Sequence, residues 1–88
     1  MRKVDFADSA FRHGLHEEDF YELISGRYIK LKSQRGITDV FELLGQNLSG
    51  TYLHAIYRII RNEERIRVFH MTEMNENQKR RFKRLLKK

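Results

Sequence analysis

Cysteine, proline and tryptophan are absent from the 88 residues. Without cysteine there is no disulfide and no thiolate metal site, a composition compatible with a reducing compartment. Without proline, and with only five glycines, no linker divides the chain. No run of about 18 apolar residues occurs, so no segment is expected to span a membrane. Met1, Arg2 and Lys3 lead into mixed polar residues rather than the apolar core of a secretory signal. We therefore expect a cytoplasmic protein. The four histidines show neither HxH nor HxxxH spacing. Neither a metal nor a cofactor is expected.

Charge is present in abundance. It makes up 34% of the residues, with a net charge of +6 and a pI near 9.9. Its distribution is uneven. Residues 1–25 hold three basic and six acidic side chains, residues 26–75 eight and five, and residues 76–88 seven and one. The basic end suits a polyanion, and a nucleic-acid backbone is the first candidate. With 40% hydrophobic residues the chain is too apolar to be disordered. Its length predicts a single domain over residues 1–88 with a modest core.

Periodicity supplies the elements. Residues 4–12 are expected to form a short helix with Phe6 and Ala10 inward, ended by Gly14 in a left-handed conformation. A second helix opens on Leu15 and His16, with Glu17, Glu18 and Asp19 in its first turn facing the positive end of the dipole. Phe20, Leu23 and Ile24 form its buried stripe. Residues 27–32 alternate as a half-buried strand, Gln34, Arg35 and Gly36 form a turn, and residues 37–44 form a second strand. Residues 52–61 and 65–71 form a hairpin that turns at Asn62, Glu63 and Glu64. Asn75 and Gln78 make a capping box for a basic helix whose buried stripe is Phe82, Leu85 and Leu86.

If the hairpin loop is even, Leu53, Ala55, Tyr57 and Ile59 share a face with Ile66, Val68 and His70. The other face then holds His54, Ile56, Arg58, Ile60, Arg67, Phe69 and Met71. An odd loop swaps one strand. On the even reading the helices cover the first face and leave the second basic and aromatic. The predicted fold is α+β: two N-terminal helices packed on an antiparallel sheet of about four strands, followed by the C-terminal basic helix.

Several short motifs fall in a telling order. These are Arg12-His13-Gly14-Leu15, an acidic-led helix, Leu44-Gly45, Leu48-Ser49-Gly50, and a strand Ile66-Arg67-Val68-Phe69-His70 running into a helix with Gln78, Lys79, Arg80, Arg81 and Phe82. Together, over about residues 5–84, they resemble the BrnT toxins, small ribonucleases of type II toxin–antitoxin systems. The sequence departs from that pattern where the family has Ser-Ala-Arg and this chain has His70-Met71-Thr72, and where His16 replaces a Ser or Thr cap.

The resemblance implies a RelE-like fold and metal-independent cleavage of RNA. It implies a cognate antitoxin of ribbon-helix-helix, BrnA-like type, with operator DNA reached only through the antitoxin. In such a reaction the 2′-hydroxyl attacks the adjacent phosphate, a base removes its proton, and cations stabilise the transition state. Arg67, His70 and Arg58 are the candidate catalytic residues: the arginines to clamp phosphate, the histidine to move a proton. His54, Tyr57, Phe69, Lys79, Arg80 and Arg84 are candidates for nucleic-acid contact, the aromatics by stacking a splayed base. Thr72 in the arginine position keeps an alternative open: a non-catalytic nucleic-acid-binding module, or an inactive toxin acting as a co-repressor.

Overall fold

A computed structural model describes residues 3–32 and 38–87. The expected turn at Gln34, Arg35 and Gly36, and Ile37, lie outside the described residues. The chain is α+β. Its strands are β1 (Lys3–Phe6), β2 (Ile29–Lys32), β3 (Val40–Gln46), β4 (Tyr52–Ile60) and β5 (Arg65–Glu73). Its helices are α1 (Glu17–Ser25) and α2 (Glu76–Leu86), and a 3-10 turn spans Asp8–Phe11. The five strands form one sheet in the order β1-β5-β4-β3-β2. β1 runs parallel to β5, and all other pairs are antiparallel.

The expected helix over residues 4–12 is thus corrected to a strand and a 3-10 turn, and the four-stranded antiparallel sheet to five strands of mixed direction. Val4 and Phe6 alternate with Lys3 and Asp5, a period of two rather than 3.6. Val4 and Phe6 pack against the core, while Asp5 reaches Arg65, 60 residues away, at 2.6 Å. Four residues of alternation are too few to outweigh a helical pattern locally. The distant partner β5 decides the conformation. Gly14 does take φ +78°, three residues past the end of that turn.

α1 begins as the sequence predicts. The Asp19 carboxylate accepts the backbone N–H of His16 at 2.8 Å. Its face, led by Phe20 and Leu23, is buried with Leu43, Leu53, Ala55, Tyr57, Val68 and Met71. Gly45 faces Leu23 so closely that an added Cβ would lie 3.1 Å from the leucine Cγ, so a larger residue there would have to push the leucine aside by a few tenths of an ångström. The expected end of the second strand at Leu44 moves to Gln46.

α2 lies on the opposite side of the sheet. Phe82 packs there with Leu44 and Met74, flanked by Ile29, Tyr52 and Leu86. Both halves of its capping box form: Asn75 Oδ1 accepts the Gln78 N–H at 2.8 Å, and Gln78 Oε1 accepts the Asn75 N–H at 2.9 Å. At its other end the Arg27 guanidinium donates to the Leu86 carbonyl at 2.7 Å, satisfying one of the carbonyls a helix leaves open. α2 covers the end of the sheet near Tyr52. The rest of that face, toward the β4–β5 hairpin, carries the candidate site.

Candidate nucleic-acid interface

β4 and β5 pair from Ile60↔Arg65 through Arg58↔Arg67 to Tyr57↔Val68 in regular register. A β-bulge then interrupts the ladder, and pairing resumes at Ile56↔His70 and Ala55↔Met71. The bulge admits Phe69 as an extra residue. Ile66 and Val68 therefore pack with the core as the even-loop parity requires, but His70 and Met71 exchange faces. Met71 is buried in the core, and His70 joins His54, Ile56 and Arg58. Two hydrogen bonds from the N-terminal segment brace the bulge. Ser9 Oγ donates to the Phe69 carbonyl at 2.7 Å, and the Ala7 N–H donates to the Val68 carbonyl at 2.9 Å.

The exposed face that results is cationic and aromatic. Arg58 and Arg67 stand directly opposite one another, with backbones about 5 Å apart in such a pair. Like charges in this position repel and weaken a sheet. The relief supplied by the protein is partial. Arg67 lies 3.7 Å from Asp5, but that carboxylate is already bonded to Arg65 at 2.6 Å, and Arg65 also pairs with Glu63. The Arg65 hydrogen bond holds the Asp5 carboxyl below its ordinary value; burial opposes, and the charges of Arg65 and Arg67 assist. Arg58 is exposed and makes no ion pair among the described residues. Arg58, Ile60, Arg67 and Phe69 line a depression of about 330 Å³.

His70 lies beside this depression, opposite Ile56 and one step along the face from Arg58. Two other imidazole rings pack against it. His54 lies 5.7 Å away, centroid to centroid, at 67°, and His13 lies 5.6 Å away at 68°. Burial disfavours a proton on His70, and the neighbouring His54 and His13 rings add to this, so its pKa falls below the ordinary histidine value. Its ring nitrogens make no hydrogen bond among the described residues. This is the state a general base needs at neutral pH.

The remaining sequence candidates separate. Tyr57 is 6% exposed on the α1 face, stacked on Phe41 at 5.6 Å. As a stacking platform it is corrected to a core residue, because its position in β4 points it away from the basic face. His54 is on the right face but buried beneath α2, 6% exposed. Its Nε2 lies 2.9 Å from Glu42 Oε1 and its Nδ1 lies 3.4 Å from Gln78 Nε2, so direct contact with a ligand is excluded. Lys79 pairs with Glu76 at 3.5 Å and lies over the Tyr52 ring at 5.8 Å. Arg80 donates to Asn77 Oδ1 at 2.6 Å. Arg80 and Arg84 are exposed on α2. Gln78 and Arg81, three residues apart, share a flank of α2, and Gln78 is the side chain that meets His54.

Glu42, His13, Gln78 and Ser9 were not singled out from the sequence as members of the site. Glu42 sits opposite Ile56, diagonal to His54 on one face, a relation that a known β3–β4 register would have exposed. Ser9 carries no local signal, because its role depends on a bulge 60 residues on. Among the described residues no group of three or more His, Cys, Asp or Glu is placed to hold a metal ion. No described helix is long and apolar enough to cross a membrane. In comparisons with models of known families, with curated proteins and with solved structures, the chain matches none.

Proposed function

We propose that this protein is a metal-independent endoribonuclease whose active surface is the exposed β4–β5 face. The observation that carries the reading is the opposed pair Arg58 and Arg67, with Phe69 and a His70 that has no hydrogen bond among the described residues on the same face. Two arginines opposed across a strand pair lose their repulsion when a phosphate lies between their guanidinium groups, and each can offer it two N–H donors. Phe69 supplies a ring for an unpaired base, which favours single-stranded RNA. His70 takes the proton of the 2′-hydroxyl. The 2′-oxygen bonds to phosphorus, the bond to the 5′-oxygen breaks, and that oxygen takes a proton from solvent. The products are a 2′,3′-cyclic phosphate and a 5′-hydroxyl. Arg58 and Arg67 stabilise the added negative charge in the transition state.

The BrnT resemblance extends this reading to a toxin of RelE-like type, silenced by an antitoxin that covers the basic surface. Thr72 favours the second reading, a non-catalytic nucleic-acid-binding protein or inactive co-repressor. Thr72 stands opposite His54, and its hydroxyl donates to the neighbouring Glu73 carbonyl at 3.3 Å. Incubating the purified protein with single-stranded RNA in EDTA separates the two. Cyclic-phosphate products are expected. RNA that is bound and left whole, or cleaved only after a divalent ion is restored, would remove the metal-independent enzyme.

A further inference from the structure

We infer that His54, held in place by Glu42, is a positioning residue for His70. The inference rests on the ribonuclease reading, in which His70 accepts the 2′-hydroxyl proton. His54 is the one polar side chain among the described residues that is buried, and both of its ring nitrogens have partners, Glu42 and Gln78. It has no free atom to offer RNA. A phenylalanine would fill the same space beneath α2 without burying a polar group, which costs stability even when the group is bonded. What the histidine adds is directed toward its neighbour. The Glu42 carboxylate accepts from Nε2, which fixes the ring plane. That plane meets the His70 ring at 67°, and the His13 ring packs against His70 at 68°. The bulge brings His70 to this position, where the two imidazoles pack edge-on against its ring. Preorganisation of this kind lets a base act without first finding its orientation.

The charged and titratable groups around His70 come from four directions. β4 contributes His54 and Arg58, and the turn before α1 contributes His13. Arg67 lies on the strand of His70 itself, and β3 contributes Glu42 behind His54. From α2 the group that reaches the cluster is the uncharged Gln78. The lowering of the His70 pKa by burial and by its two imidazole neighbours accords with this arrangement.

The test is an NMR titration of the histidine ring protons in the full chain, paired with the pH profile of RNA cleavage. Wild type is compared with His54→Phe, which keeps ring volume, and His54→Gln, which keeps a donor for Glu42. One of the two is expected to fold even if the other does not. The His70 midpoint should rise toward the ordinary histidine value in the folded variant, because one neighbour that disfavours its proton has gone. The cleavage rate at about pH 5.5 relative to about pH 7.5 should fall roughly threefold or more, since the base must be unprotonated. A His70 midpoint that does not move overturns the inference, and so does a midpoint that moves while the acid limb of the rate stays where it was. If wild type cleaves no RNA, the ribonuclease reading fails on its own account. The titration still decides whether His54 governs His70.

Discussion

Tyr57 and Arg58 are neighbours in β4 and point to opposite sides of one sheet. On the side of Tyr57 the strands bury Leu53, Ala55, Val68 and Met71 beneath α1. On the side of Arg58 the same strands present arginine, histidine and an aromatic ring to solvent, with α2 covering one end only. The first side holds the fold together, and the second carries a repulsive charge pair that the fold would do better without. On the proposed function, stability and activity fall to alternate residues of one strand. Substitutions a single position apart should therefore fail in different assays.

The largest effect expected is on the buried side. Phe20→Ala should cost about 3–5 kcal/mol in denaturant unfolding, the usual range for emptying a buried phenylalanine site. In a domain of this size that is most of the stability. An unfolding midpoint near that of wild type would show that the α1 face is not the main source of cohesion.

Next comes the exposed side. Arg67→Ala should lower the single-turnover cleavage rate by roughly 10²-fold, the loss seen when one transition-state donor is removed. Its stability should stay within about 0.5 kcal/mol of wild type, because an exposed repulsive pair is relieved as packing is lost. Full activity in this variant would take Arg67 out of the site. Neutralising Lys79, Arg80 and Arg84 together should leave turnover intact and weaken RNA binding. The slope of log affinity against log salt should fall by as much as about 2. A slope equal to that of wild type would place the bound RNA away from α2.

The smallest effect is a pH dependence of stability. The pKa of His70 is lower in the folded chain than in the unfolded one. The unfolded chain therefore binds the proton first as pH falls. Stability from this group is complete above the ordinary histidine value and is lost as pH drops from there to the folded value, below which it levels off. His70→Gln should flatten that portion of the curve in unfolding experiments at a series of pH values.

Much of this was legible in the sequence, for reasons that also explain the failures. The α1 stripe, the α2 capping box and the even β4–β5 loop all rest on signals within a few residues, and all three are present. Arg58 and Arg67 share a face because alternation holds without interruption between Ile60 and Tyr57. It broke down where structure depends on distant partners. β1 looked helical because its partner lies in β5. His70 and Met71 took each other's faces because one extra residue in β5 shifts the phase of everything after it, and the hydroxyl that braces that bulge is on Ser9. Glu42 escaped notice because a diagonal contact is invisible until the register of two strands is known.

The parallel pairing of β1 with β5 has a consequence for how the chain reaches this state. The β4–β5 hairpin closes across four residues and can form early, whereas β1 docks against residues about 60 positions away. Contacts of that separation carry a large loop-closure cost and tend to form late. On a ribosome, Lys3–Phe6 would leave the tunnel long before Arg65, the start of its pairing partner, was made. During that interval Val4 and Phe6 have no sheet to join. The bulge would also lack the Ser9 brace until β1 and its turn arrive, so the basic face would be the last part of the molecule to acquire its final shape.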